Sequence, residues 1–110
     1  MVRRRVVRSE GFLRRAQALY PPGGSTDGRP SFELFEQRPL RAVEEVFARR
    51  FDEQPEAVEG TGIRFAMTHG LPFFPALVIY ACLGTDDAVE LLDVVVDEDY
   101  FDLIGDDPAD

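Results

Sequence analysis

The chain has no lysine, asparagine or tryptophan, and its 110 residues include one cysteine and one histidine. Each scarcity removes a class of function. One cysteine closes no internal disulfide, and Cys82 with His69 falls short of a structural zinc set, so the fold is expected to rest on its hydrophobic core with no metal and no cofactor. The apolar run ALVIYACL, residues 76–83, is far shorter than the roughly 18 residues of a membrane-crossing helix. The opening MVRRRVVRS has no apolar stretch after its arginines, and a soluble cytoplasmic protein is expected. No P-loop, GxGxxG, GxSxG or HExxH occurs, which removes the familiar nucleotide and hydrolase chemistries. The run Asp97, Glu98, Asp99, Asp102 lacks the turn glycine and ordered oxygen spacing of a calcium loop.

What is present is a globular balance, 45% hydrophobic and 30% charged, in a length that suits one domain. Residues 1–104 are expected to form it, with 105–110 an acidic tail. The net charge is −9, and it is unevenly spread: eleven of the twelve arginines lie in residues 1–50, whereas residues 51–110 hold Arg64 against fifteen acids. Folding is expected to bring the basic and acidic halves together. Nucleic acid is disfavoured as a partner, because phosphate contacts need a positive footprint that the chain offers only around Arg3, Arg4, Arg5 and Arg8.

Residues 2–8 read as a short edge strand. Ser9 then caps a helix over 9–20 whose apolar positions are Phe12, Leu13, Ala16, Leu19 and Tyr20. PPGGSTDGRP, residues 21–30, ends it in a surface loop. Ser31 caps a helical turn, and a second helix is predicted to start at Pro39 and end before Pro55, with Leu40, Val43, Phe47 and Phe51 as its stripe and Val46 widening it. Glu45 and Arg49 stand at i, i+4 on its outer side. From residue 62 the period falls to two: GIRFAMT reads as a strand, 69–75 as a loop, 76–83 as a central strand, GTDD as a turn and VELLDVVVD as a return strand. DYFDLI is left open between a helical turn and an extended edge. The expected fold is α+β, an antiparallel sheet with two helices packed on one face, in the order β-α-α-β-β-β.

Alternation then assigns faces. Ile63, Phe65, Met67, Leu77, Ile79, Ala81, Leu83, Leu92, Val94 and Val96 are expected to face the helices. Ala66, Thr68, Ala76, Val78, Val89, Leu91, Val95 and Asp97 fall on the other side. On that side the same parity gathers Arg64, Tyr80, Cys82 and Asp93, either a cross-strand ion pair beside a tyrosine or a small polar binding site. His69 is displayed in a Gly/Pro loop, where a general acid or base can reach solvent. Cys82, in an apolar strand, reads as a small buried hydrophobe with weak nucleophilicity.

RRRVVRSEGFLRRAQAL looks like the opening strand and first helix of RelE/ParE-type bacterial toxins, and PALVIYACLGTDDAVELLDVVVDEDYF resembles that family's closing hairpin. The resemblance implies binding to an antitoxin-like protein and, in members that cut ribosome-bound messenger RNA, a cluster of Lys and Arg on the sheet. Arg64 matches one such basic position and His69 stands near a second. Pro75 and Ala76 replace the arginine that opens the central strand, and Tyr100 is the one group comparable to the C-terminal segment. Three expectations follow. The first is a toxin-like domain with a degenerate basic site that works by binding protein, through its open sheet face or the groove beside the second helix, with Asp93, Cys82 and Tyr100 as binding residues. The second is a ribonuclease using Arg64, His69 and Tyr80. The third is an acidic, immunity-like or polyanion-mimicking module that holds a basic protein along Asp97 to Asp107.

Overall fold

The computed structural model describes residues 3–69 and 73–97. Strand β1 (Val6–Arg8) leads into helix α1 (Glu10–Leu19), and Ser9 caps it by accepting the Phe12 N–H at 3.0 Å. The other end of α1 is closed from the 21–30 loop: the Arg29 guanidinium donates to the Leu19 carbonyl at 3.0 Å, which satisfies a terminal acceptor of the helix.

The second helical segment runs further than the proline suggests. After Ser31 caps α2 (Phe32–Phe35), the chain passes through one π turn (Glu36–Leu40) directly into α3 (Arg41–Arg50) and ends in a 3₁₀ turn (Phe51–Glu53). Pro39 is where a break was expected. It has no N–H to donate and its ring crowds the preceding turn, and widening that turn to π geometry lets the helix continue. Phe35, Leu40, Val43, Phe47 and Phe51 are buried along this segment, whereas Val46 is more than one third exposed and does not widen the stripe.

Strands β2 (Arg64–Thr68), β3 (Leu77–Leu83) and β4 (Val89–Val96) form the antiparallel meander. The sheet order is β1-β4-β3-β2, and β1 runs parallel to β4, so the sheet is mixed and not wholly antiparallel. Short connections force neighbouring strands to reverse, as between β3 and β4. β1 reaches β4 only after two helices and two strands, and no turn dictates its direction. Both helical segments share one core with the sheet, formed around Phe12, Phe35, Phe47, Leu77, Ile79 and Leu91.

The facing of β2 and the first half of β4 is the reverse of what alternation suggests. Ala66 and Thr68 are buried towards the helices, and Met67 is exposed on the other side with Phe65 only partly buried. The rings that fill this end of the core are Phe47 of α3, which packs on β2, and Phe51 of the 3₁₀ turn that follows it, so the strand contributes small side chains where a second layer of large ones would not fit. In β4, Tyr80 pairs with Asp93 but Ala81 pairs with Leu91, which makes Leu92 the extra residue of a β-bulge. The bulge switches parity within one strand, and therefore Val89 and Leu91 are core residues alongside Val94. Ala76, expected outside, is also fully buried, and Leu83, expected in the core, is 40% exposed at the last position of β3, where the chain leaves the sheet for the turn.

The charged halves meet as expected in two ion pairs, Arg4–Asp52 and Arg15–Asp93, while other arginines pair within residues 1–50. Arg3 forks onto Glu45 with two 2.8 Å hydrogen bonds, Arg8 bridges Glu36 (2.5 Å) and Glu44 (2.9 Å), and Arg4 reaches Asp52 at 3.0 Å. Arg3 and Arg8 are thus taken up by carboxylates of their own half, on the second helical segment. Glu45 also accepts from Arg49 at 2.8 Å, the i, i+4 pair. Arg3 holds the Glu45 carboxyl down at about 2, first through its hydrogen bond and then through its charge.

Candidate functional site

The helices cover one face of the sheet. On the opposite face the strands present Phe65 and Met67 from β2, Val78, Tyr80 and Cys82 from β3, and Glu90, Asp93 and Val95 from β4, none of which belongs to the buried core. Met67 and Val95 are each 37% exposed, and Val7 at the β1 edge is 39% exposed. Phe65 and Tyr80 are cross-strand partners whose ring centroids lie 6.3 Å apart, a tilted pair at the middle of this face. The result is an apolar, aromatic-centred surface with a tyrosine within it and carboxylates on the β4 side.

Of the residues singled out from the sequence, three share this face. Tyr80 stands opposite Asp93 in register, and Cys82 stands opposite Glu90. Asp93 is held by its own strand and by α1: its Oδ1 accepts the Val94 N–H at 2.9 Å and lies 3.4 Å from Arg15 Nε. Burial, and then the charge of Glu90, pushes the Cys82 thiol up from its ordinary value, so it is a poor nucleophile.

Arg64 is not part of the set. Its parity turns it to the helix side, where its guanidinium lies 5.7 Å from the Phe51 ring centroid and donates to the Gln54 carbonyl at 2.5 Å. It ties the 54–63 connection to the sheet, which leaves no arginine opposite Tyr80. His69 is exposed just beyond the end of β2. Five residues of extended chain separate it from Arg64, about 16 Å at the rise of a strand. In register, Thr68 pairs with Leu77, so His69 lies roughly four strand residues from Tyr80, about 13 Å away. Arg64, His69 and Tyr80 therefore do not converge on one reacting atom, which general acid–base chemistry requires. Tyr100 lies outside the described residues, as does the strip from Asp97 to Asp107 beyond Asp97 itself.

Sequence reading missed Phe65 and Met67 on this face. Alternation gave no signal for them, because it places the larger apolar set of GIRFAMT on the helix side. Among the described residues no group of three or more His, Cys, Asp or Glu is arranged to hold a metal ion, and no helix is long and apolar enough to cross a membrane. Compared with protein-family models, curated proteins and solved structures, the chain matches none.

Proposed function

We propose that this chain is a RelE/ParE-toxin-like domain that acts by binding protein through its uncovered sheet face, and not by cutting RNA. The observation that carries the reading is the one-sided packing of the sheet, which leaves the Phe65–Tyr80 pair, Met67 and Val95 in contact with solvent. Contiguous apolar surface of this kind, rimmed by polar groups, is a mark of an interaction site. A partner segment with apolar side chains, from an antitoxin-like protein, fits it, with the Tyr80 hydroxyl available for one hydrogen bond. The element order, a strand, two helical segments and three hairpinned strands, supports the toxin-like architecture.

Two observations weigh against the ribonuclease. Arg64, His69 and Tyr80 are dispersed, and Arg3, Arg4, Arg8, Arg15, Arg29 and Arg49 all have carboxylate partners, which reduces the positive surface left for phosphate. A basic protein is the second kind of partner. Glu53, Glu56, Glu59, Asp86 and Glu90 have no arginine ion pair among the described residues, and they lie in or beside the connections at one end of the sheet.

The test is affinity capture of partners by the full chain from its host, repeated with Met67→Glu, Val95→Glu, His69→Ala and Arg64→Ala. Loss of a partner with the first two and retention with His69→Ala supports the reading. Retention with both sheet-face variants overturns it. So does RNA cleavage by the full chain that His69→Ala abolishes.

A further inference from the structure

The hydroxyl of Tyr20 is not needed for the packing of its ring. The residue is 4% exposed at the end of α1, stacked on Phe35 at 5.4 Å between centroids and edge-on to Phe74 at 5.3 Å. A phenylalanine would make the same contacts. A buried tyrosine ordinarily finds a partner for its oxygen, yet this one has no hydrogen bond among the described residues. Nor is the oxygen sealed away. Thr68 Oγ1 is the one fully enclosed side-chain oxygen left without a partner among the described residues, so the Tyr20 hydroxyl opens into reachable space.

That space is a hollow of about 400 Å³, which Tyr20 lines together with Leu19, Pro30, Phe73, Pro75 and Val96. Concave, mainly apolar sites of roughly 300–1,000 Å³ with a few fixed polar groups are the usual form of small-molecule sites. The charges at its rim cancel. Asp27 and Arg29 pair at 3.0 Å, and Arg29 also donates to the Leu19 carbonyl at 3.0 Å, which fixes the loop to the end of α1. Burial pushes the Tyr20 hydroxyl up from its ordinary value, with the charge of Arg29 opposing, so it remains a neutral donor. A neutral donor, a balanced ion pair and apolar walls favour an uncharged molecule, and the net charge of −9 repels anions.

We infer that this hollow binds a small uncharged apolar molecule carrying one carbonyl oxygen, with that oxygen on the Tyr20 hydroxyl and the apolar body against Pro30, Phe73 and Pro75. The rings of Phe35 and Phe74 hold Tyr20 in place, so the hydroxyl is aimed before anything binds and little ordering is required. Phe73, which is 75% exposed, is covered when the hollow is filled. The bound carbonyl accepts the hydrogen bond that the chain's own described groups leave unmade. The site is formed by the end of α1 and the loops beside it, and it does not depend on the uncovered sheet face binding anything.

Acetophenone, an aromatic ketone of this class, and benzoate, an anion of nearly the same shape, are titrated into the full chain and followed by NMR at the amides of Leu19, Gly28 and Val96. Acetophenone should shift them saturably with a dissociation constant below about 5 mM, and benzoate should bind about tenfold more weakly or not at all. Tyr20→Phe should weaken acetophenone about fivefold or more and melt within about 2 °C of the wild type, which separates a binding hydroxyl from a structural one. Absence of a saturable shift with acetophenone overturns the inference, whether the hollow is then filled by another part of the chain or covered by a different protein. Equal binding of benzoate, equal binding of acetophenone by Tyr20→Phe, or a Tyr20→Phe chain that melts many degrees lower overturns it as well.

Discussion

Thr68 and Met67 are neighbours on β2 that face opposite ways, and exchanging their expected roles gives a sharp test of the sheet's orientation. Thr68 is 7% exposed on the helix side, opposite Leu77, and its hydroxyl finds no hydrogen-bond partner among the described residues. An unsatisfied buried hydroxyl costs about 1–3 kcal/mol. Thr68→Val removes that hydroxyl and puts a methyl of nearly the same shape in its place. Allowing for imperfect replacement of the lost volume, the variant should gain about 1 kcal/mol, or roughly 4 °C in melting temperature for a domain of this size. Met67 is 37% exposed on the other side, and Met67→Glu should cost no more than about 1 kcal/mol there. Had Met67 been the core residue and Thr68 the surface one, as the alternation of GIRFAMT suggests, the signs would differ. Thr68→Val would be close to neutral, and Met67→Glu would bury an unpaired carboxylate and unfold a domain of ordinary stability. Urea unfolding of both variants beside the wild type supplies the two numbers. A neutral Thr68→Val together with an unfolded Met67→Glu would refute the assigned facing, and the proposed binding face with it.

Three further outcomes are expected. Asp86 and Asp87 both take positive φ, 59° and 60°, in the turn between β3 and β4, where glycine is favoured at the second position; Asp87→Gly should stabilise by about 0.5–1 kcal/mol in chemical unfolding. Arg8→Met strands the part-buried Glu36 and Glu44 near each other and should destabilise by about 1–2 kcal/mol at pH 7, discounted for partial exposure, with Glu44→Gln in the same chain recovering part of it. The Glu45 carboxyl is lowered to about 2, so its contribution is present above the ordinary carboxylate range and fades as pH falls towards 2; the stability gap between wild type and Glu45→Gln should therefore shrink over that interval in acid titration.

The local features of this fold were legible because they depend on neighbours in sequence. Ser9 and Ser31 cap helices as read, the 3.6-residue stripe of Val43, Phe47 and Phe51 is buried, and residues 77–83 form the central strand. What could not be read depends on contacts between distant elements. The parallel pairing of β1 with β4 is set by packing across two helices. The inversion of β2 follows from the size of the α3 rings that meet it, and the bulge at Leu92 leaves no trace in VELLDVVV, where apolar residues on both sides of the shift make either parity plausible. The candidate site divides in the same way. Tyr80, Cys82 and Asp93 share a face because they sit on strands whose local alternation holds on either side of the bulge, and Arg64 departs because its strand is turned over. At Pro39, read as the start of a separate helix, one widened turn instead joins the preceding helical turn to α3.

The chain's single thiol offers the most direct measurement of whether the bare side of the sheet is where a partner sits. Cys82 lies within that side, part-buried and with its ionisation suppressed, so alkylation of the free protein is slow but measurable at alkaline pH. Once a captured partner is bound at saturation, the alkylation rate of Cys82 should fall by about tenfold or more, in line with the local opening then needed to expose it. An unchanged rate in a fully formed complex would mean that the partner sits elsewhere and that the sheet face is not the binding surface.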